Sequence, residues 1–238
     1  MTINIFDKVK IFADGANLSE MVKMSKLSYI KGFTTNPSLM RKNGITNYEQ
    51  FSKSVLNKIK KKPISFEVFS DDLEQMKDQA LKINSWGKNV YIKIPITNTK
   101  NISTGPVIKY LTSKNIKVNV TAVMTLGQVK SVLKNLNPKI PSYISIFVGR
   151  IADTGRDPMP IVKESLNLIK KNKNCELIWA STREIYNIYQ SNSISCNIIT
   201  VTSDLINKFS LLSYNLNKYS LDTVKGFRTD AVKSKFKI

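Results

Sequence analysis

Along the chain, short apolar runs alternate with polar turns and with stretches of helical periodicity. Eight runs have the length and β-branched content of strands: KIFAD (10–14), YIKGF (29–33), ISFEVF (64–69), NVYIKI (89–94), KVNVTAV (117–123), SYISIFV (142–148), ELIWAS (176–181) and NIITV (197–201). Between them apolar residues recur at helical spacing, as in DDLEQMKDQALKIN (71–84) and within 182–190. Asp71, Thr182 and Thr202 stand where helix N-caps belong. Strands alternating with helices imply parallel pairing, and eight is the number that closes a barrel. The pattern therefore predicts an α/β chain whose residues 1–238 form a single (β/α)8 TIM barrel. A doubly wound open sheet is the alternative, but no GxGxxG or Walker glycine loop accompanies it.

Alternation within the strands says which side chains enter the barrel, because one face of each strand meets the helices and the other lines the interior. In the fourth strand Val90, Ile92, Ile94 and Ile96 share the outer face, which turns Tyr91 and Lys93 inward. Ile64, Phe66 and Val68 leave Ser65 and Glu67 inside, and Val118 and Val120 leave Asn119 and Thr121 inside. Ile144, Ile146 and Val148 do the same for Tyr143, Ser145 and Phe147. A lysine and a carboxylate thus enter one interior near the carboxyl ends of strands, where barrel active sites form. A lysine in an apolar strand commonly guards a sheet edge, but a closed barrel has no edge to guard. Burial and neighbouring groups can lower a lysine's pKa and supply the neutral amine that attacks a carbonyl. Glu67 and Asp14 read either as satisfied interior carboxylates paired with Lys93 or as its partners in proton transfer.

A length of 238 residues with 42% hydrophobic content suits a barrel with a sizeable core. No segment approaches the roughly 20 apolar residues of a membrane span, and MTINIFDKVK carries charge where a secretory leader needs an apolar core. Cys175 and Cys196 are in neither a CxxC nor a zinc spacing and are expected free and reduced, in the cytoplasm. The net charge of +20 is carried mostly by lysine, as in IKKKP (59–63) and IKKNKN (169–174). Without an RRM, KH or zinc-finger motif it reads as a solvated basic surface that attracts phosphorylated metabolites, with no nucleic-acid partner. Only five of the 37 cations are arginine: Arg41, Arg150, Arg156, Arg183 and Arg228. The chain has no histidine, so a metal site would lack its commonest ligand. Trp86, Met76 and Met124 read as packing residues. DTGRDP (153–158) reads as a turn opening the sixth helix, with a phosphate or lid loop as the alternative.

FADGAN (12–17), FTTNPSLM (33–40), ISFEVFSDD (64–72), YIKIPIT (91–97), VNVTAV (118–123), ISIFVGRIAD (144–153) and WASTRE (179–184) resemble, in order and spacing, the transaldolase family. That family includes the fructose 6-phosphate aldolases, and the resemblance runs from about residue 10 to 202. It implies a class I enzyme with no cofactor and no metal, in which Lys93 forms an imine with a ketose carbonyl. Asp14 would take the proton from the sugar hydroxyl whose alkoxide collapses with carbon–carbon cleavage. Glu67, through a water also held by Thr121, would shuttle protons during carbinolamine dehydration. Asn36 and Asn119 match side chains around the lysine and the dihydroxyacetone unit, and Ser145 and Ser181 match its hydroxyl-binding groups. Arg150 and Arg183 match arginines that grip the substrate phosphate, for which a guanidinium fork is well shaped.

Aldolase relatives carry tyrosine where this chain has Phe147 and glutamine where it has Glu67, so both positions follow the transfer-type pattern. The resemblance implies a dihydroxyacetone unit moved between phosphorylated sugars, with sedoheptulose 7-phosphate and glyceraldehyde 3-phosphate giving erythrose 4-phosphate and fructose 6-phosphate as the default pair. Fructose 6-phosphate cleavage, or transfer to an unusual sugar in a biosynthetic pathway, is the alternative activity. A basic scaffold for acidic partners is the non-enzyme alternative. A homo-oligomer is compatible with the family, and the segment SLDTVKGFRTDAVKSKFKI (220–238) is peculiar to the chain's own subgroup.

Overall fold

A computed structural model of the chain describes residues 8–235, so much of the amino-terminal stretch read above for a leader, and the last residues of the 220–238 segment, lie outside the described residues. The first half runs β1 (Lys10–Asp14), α1 (Leu18–Ser25), β2 (Ile30–Thr34), α2 (Pro37–Lys42), α3 (Tyr48–Lys58), β3 (Ile64–Glu67), α4 (Leu73–Asn84), β4 (Val90–Pro95) and α5 (Gly105–Ser113). The second half runs β5 (Val118–Val123), α6 (Leu126–Asn135), β6 (Ser142–Phe147), α7 (Val148–Ala152), α8 (Met159–Ile169), β7 (Cys175–Ala180), α9 (Tyr186–Ser193) and β8 (Ile198–Thr202). Then come α10 (Ser203–Asn207), a 3-10 turn at Lys208–Leu211 and α11 (Leu216–Lys233).

The strands close in sequence order into an all-parallel barrel, sealed where β1 runs beside β8 from Lys10 opposite Ile198 to Asp14 opposite Thr202. The eight-stranded (β/α)8 expectation is met, and each strand falls within a residue or two of its apolar run. The chain divides into two compact units, Met1–Ser203, which holds the barrel, and Asp204–Ile238. In the second unit Asn215 caps α11, its side chain accepting from the Lys218 N–H, and Tyr214 donates to Asp222 at 2.8 Å.

Two cap expectations need correction. Asp72, not Asp71, caps α4, accepting from the N–H groups of Glu74 and Gln75; Asp71 accepts instead from the Thr99 N–H and hydroxyl, each at 2.7 Å. Thr182 caps no helix, because a turn through Arg183 and Glu184 comes first and α9 begins only at Tyr186. DTGRDP does lead into the helix Met159–Ile169, and Asp157 accepts from the Met159 N–H at 2.9 Å.

The outward faces pack under the helices as the alternation requires. Phe66 meets Tyr48 and Trp86 edge-on, and Met76, Ala80 and Ile83 form the buried stripe of α4. Inside, the half of the barrel nearer the amino ends of the strands is filled by an aromatic plug. Tyr91 stacks on Tyr143 with centroids 4.1 Å apart, and Phe12 meets Tyr143 edge-on at 5.7 Å. Ile178, Ala180 and Ile198 complete this cluster, with Phe147 packed against it. Gly32 makes room for the plug: a Cβ there would lie 2.5 Å from the tip of the Phe12 ring. Each fully buried large apolar side chain stabilises the fold by roughly 1.5–3 kcal/mol.

Candidate active site

Above the plug the barrel opens into a cavity of about 540 Å³ at the carboxyl ends of the strands. Every strand contributes to its lining: Asp14, Thr34, Glu67, Lys93, Thr121, Ser145 and Phe147, Ala180, and Thr200 and Thr202 in chain order. Asn36, Ser181, Arg150 and Arg183 join them from the following segments.

Lys93 enters from β4 and is only 6% exposed. Its register neighbours are Glu67 on β3 and Asn119 on β5, so the three stand at one level of the barrel. The Lys93 amine lies 3.1 Å from Glu67 Oε2 and donates to the Thr35 carbonyl at 2.9 Å. Asp14 ends β1 opposite Thr34, whose hydroxyl donates to Asp14 Oδ1 at 2.8 Å, while Asn36 Nδ2 approaches Oδ2 at 3.5 Å. Asn36 is fixed by its own helix: its Oδ1 caps α2, accepting from the Leu39 N–H, and Pro37 fills the first helical position. Burial pushes the Asp14 carboxyl above its ordinary value; the Lys93 charge and the Thr34 hydrogen bond pull it back, and Glu67 adds to the rise.

Asn119 is placed differently from the other expected site residues. It is fully buried and does not line the cavity. Its Nδ2 donates to Ser65 at 3.0 Å and its Oδ1 accepts from Ser145 at 2.7 Å, so it anchors the serine that does. Thr121 has a buried hydroxyl with no protein partner, aimed into the cavity. It lies in a register shift of β5 against β6, where the next residue, Ala122, takes a φ of +60°.

Both arginines are exposed at the mouth. The Arg150 guanidinium sits over the Phe147 ring at 5.6 Å. Arg183 pairs with Asp153 at 2.5 Å. Ser181 follows β7 with a φ of +63°, and its carbonyl packs so closely on Gly149 that a Cβ there would lie 1.9 Å from it. Thr34, Pro37, Ser38, Leu39, Ala180 and Thr200 also line the cavity and were not singled out from the sequence; Thr182 and Thr202, read there only as helix caps, line it too. The β8 threonines are legible there as the alternate positions of NIITVT; the helix-start residues carry no periodic signal.

A larger open groove at the opposite end of the barrel is lined by Lys10, Lys163, Lys170 and Glu176, and Lys10 is already paired with Glu176 at 2.7 Å. No cluster of His, Cys, Asp and Glu among the described residues could hold a metal ion, and no helix among them is long and apolar enough to cross a membrane.

The profile of the transaldolase/fructose-6-phosphate aldolase family matches residues 11–238. A protein of Sulfurihydrogenibium sp. named "probable transaldolase" is 36% identical over 202 residues, covering 83% of this chain and 87% of that one. One of the same name from Nitrosopumilus maritimus is 30% identical over 216 residues, covering 90% and 92%. Among solved structures, N-acetylneuraminate lyase from Mycoplasma synoviae aligns with a TM-score of 0.58 at 12% identity, covering 95% of this chain and 82% of that one, a likeness of fold alone. With the barrel, its cavity and these relatives in agreement over most of its length, the chain belongs to the transaldolase/fructose-6-phosphate aldolase family.

Proposed function

We propose that this chain is a class I transaldolase that moves a dihydroxyacetone unit from a ketose phosphate to an aldose phosphate through an imine on Lys93. The default pair is sedoheptulose 7-phosphate and glyceraldehyde 3-phosphate, giving erythrose 4-phosphate and fructose 6-phosphate. The observation that carries the reading is a buried amine facing two carboxylates in a cavity whose exposed mouth holds two arginines.

The Lys93 amine adds to the donor carbonyl, and Glu67, 3.1 Å away, manages the protons as the carbinolamine loses water. The unpartnered Thr121 hydroxyl supports a water-binding position beside it. Asp14 accepts the proton of the hydroxyl next to the breaking bond. The electron pair of that carbon–carbon bond flows into the protonated imine, leaving an enamine on Lys93 and a free aldose phosphate. Ser145 and Ser181 bind the hydroxyls of the retained three carbons, and Arg150 and Arg183 bind phosphate.

Transfer is distinguished from simple aldol cleavage by what the enamine meets next. The Phe147 ring lies beside Arg150 and offers no hydroxyl as proton donor. Loss of fructose 6-phosphate should therefore be slower by about 10²-fold or more when no aldehyde acceptor is present, the lower range of what a positioned acid contributes. Steady release of free dihydroxyacetone at a comparable rate without acceptor would replace this reading by the aldolase one. Arg183→Lys should weaken phosphorylated donors by about 1–3 kcal/mol, since a fork becomes a point contact, and fructose much less. Equal losses for both donors in kcat/KM would make Arg183 structural.

A further inference from the structure

Arg183 is held from three sides before any substrate arrives. Its backbone N–H donates to Asn187 Oδ1 at 2.9 Å, and the Glu184 N–H donates to the same oxygen at 3.2 Å, which fixes the turn that carries it. Its stem crosses Gly149, where a Cβ would lie 3.0 Å from Arg183 Cγ and 2.9 Å from Nε. Its Nη2 donates to Asp153 Oδ2 at 2.5 Å. Gly149 in α7 and Asp153, which caps its carboxyl end in helical conformation, are four residues apart and so lie on one face.

We propose that Asp153 is the positioning residue for Arg183, holding one edge of the guanidinium so that its remaining N–H groups face the cavity and receive the substrate phosphate. The proposal rests on the reading of Arg183 as a phosphate-binding group. A guanidinium has five N–H donors in a rigid fork, so a carboxylate on one edge leaves the others free. Fixing the side chain in advance removes an ordering cost from binding, worth about 3–10-fold in affinity for one long side chain. The opposing effect is repulsion between Asp153 and the incoming phosphate. Asp153 does not line the cavity and is more than half exposed, so its charge is spent on Arg183 and screened by solvent. Orientation therefore outweighs repulsion.

The test compares fructose 6-phosphate with fructose as donors for wild type, Asp153→Asn, Asp153→Glu and Arg183→Ala at a fixed, saturating acceptor. Asp153→Asn should raise KM for fructose 6-phosphate by about 3–10-fold, with kcat within about twofold and kcat/KM for fructose unmoved, and Asp153→Glu should recover most of the loss. An unchanged or lowered KM in Asp153→Asn, or equal losses with both donors, overturns the proposal. Arg183→Ala separates the two layers. If it discriminates against the phosphorylated donor while Asp153→Asn does not, the phosphate reading stands and the positioning role falls; if it does not discriminate, both fall.

Discussion

Lys93→Met is expected to lower turnover by about 10⁴-fold or more, on the scale of removing a covalent nucleophile from an enzyme. Methionine keeps the length and apolar stem of the lysine, so the loss isolates the amine. Borohydride in the presence of fructose 6-phosphate should add one dihydroxyacetone-sized mass to the wild type, mapped to the peptide containing residue 93, because reduction turns the imine into a stable amine. The variant should gain none while keeping its circular dichroism spectrum. An adduct on any other lysine, or trapping that persists in Lys93→Met, would sink the mechanism. The chain is rich in exposed lysine, so mapping the site matters as much as detecting the mass.

Asp14→Asn should cost about 10²–10⁴ in kcat if Asp14 is the base of the cleavage step. The pH profile gives the sharper test. Burial holds the Asp14 carboxyl above its ordinary value near 3.8, against the pull of Lys93 and Thr34. A base must be ionised, so the acidic limb of kcat/KM in the wild type should lie above the usual carboxylate range and should vanish in Asp14→Asn. Stability follows the same shift with a definite sign. Between the ordinary value and the raised one the folded chain binds more protons than the unfolded chain, so stability falls as pH rises through that window and stays lower above it. Asp14→Asn should therefore melt above the wild type at neutral pH, with the gap closing in acid. A variant less stable at neutral pH would mean that Asp14's bonds to Thr34 and Asn36 outweigh its desolvation.

The barrel was legible because two signals agree: eight apolar runs at regular spacing, and a period of two within each. The same alternation turned Lys93, Glu67, Thr121 and Ser145 toward the interior without any structural information, and the strand register then set Glu67, Lys93 and Asn119 at one level. Alternation does not show which inward side chains meet the cavity, however. Asn119, level with Lys93 and Glu67, is buried away from it because its amide is taken up between Ser65 and Ser145, contacts between strands that a period of two does not encode. The caps at Asp71 and Thr182 were misplaced for a related reason. Two adjacent aspartates offer the same chemistry, and the bond of Asp71 to Thr99 spans 28 residues. The pairing of Arg183 with Asp153 is likewise a contact across 30 residues that no local pattern announces.

The aromatic plug has a kinetic meaning. With Phe12, Tyr91 and Tyr143 filling the interior below Lys93, the cavity is a cul-de-sac. Under the transaldolase reading, the first aldose leaves by the way the ketose came in, and it must clear that doorway before the second aldose enters. Each turnover then becomes an exchange of visitors around a tethered three-carbon guest. The barrel need not recognise two sugars at once, only the half that each presents to the same pair of arginines.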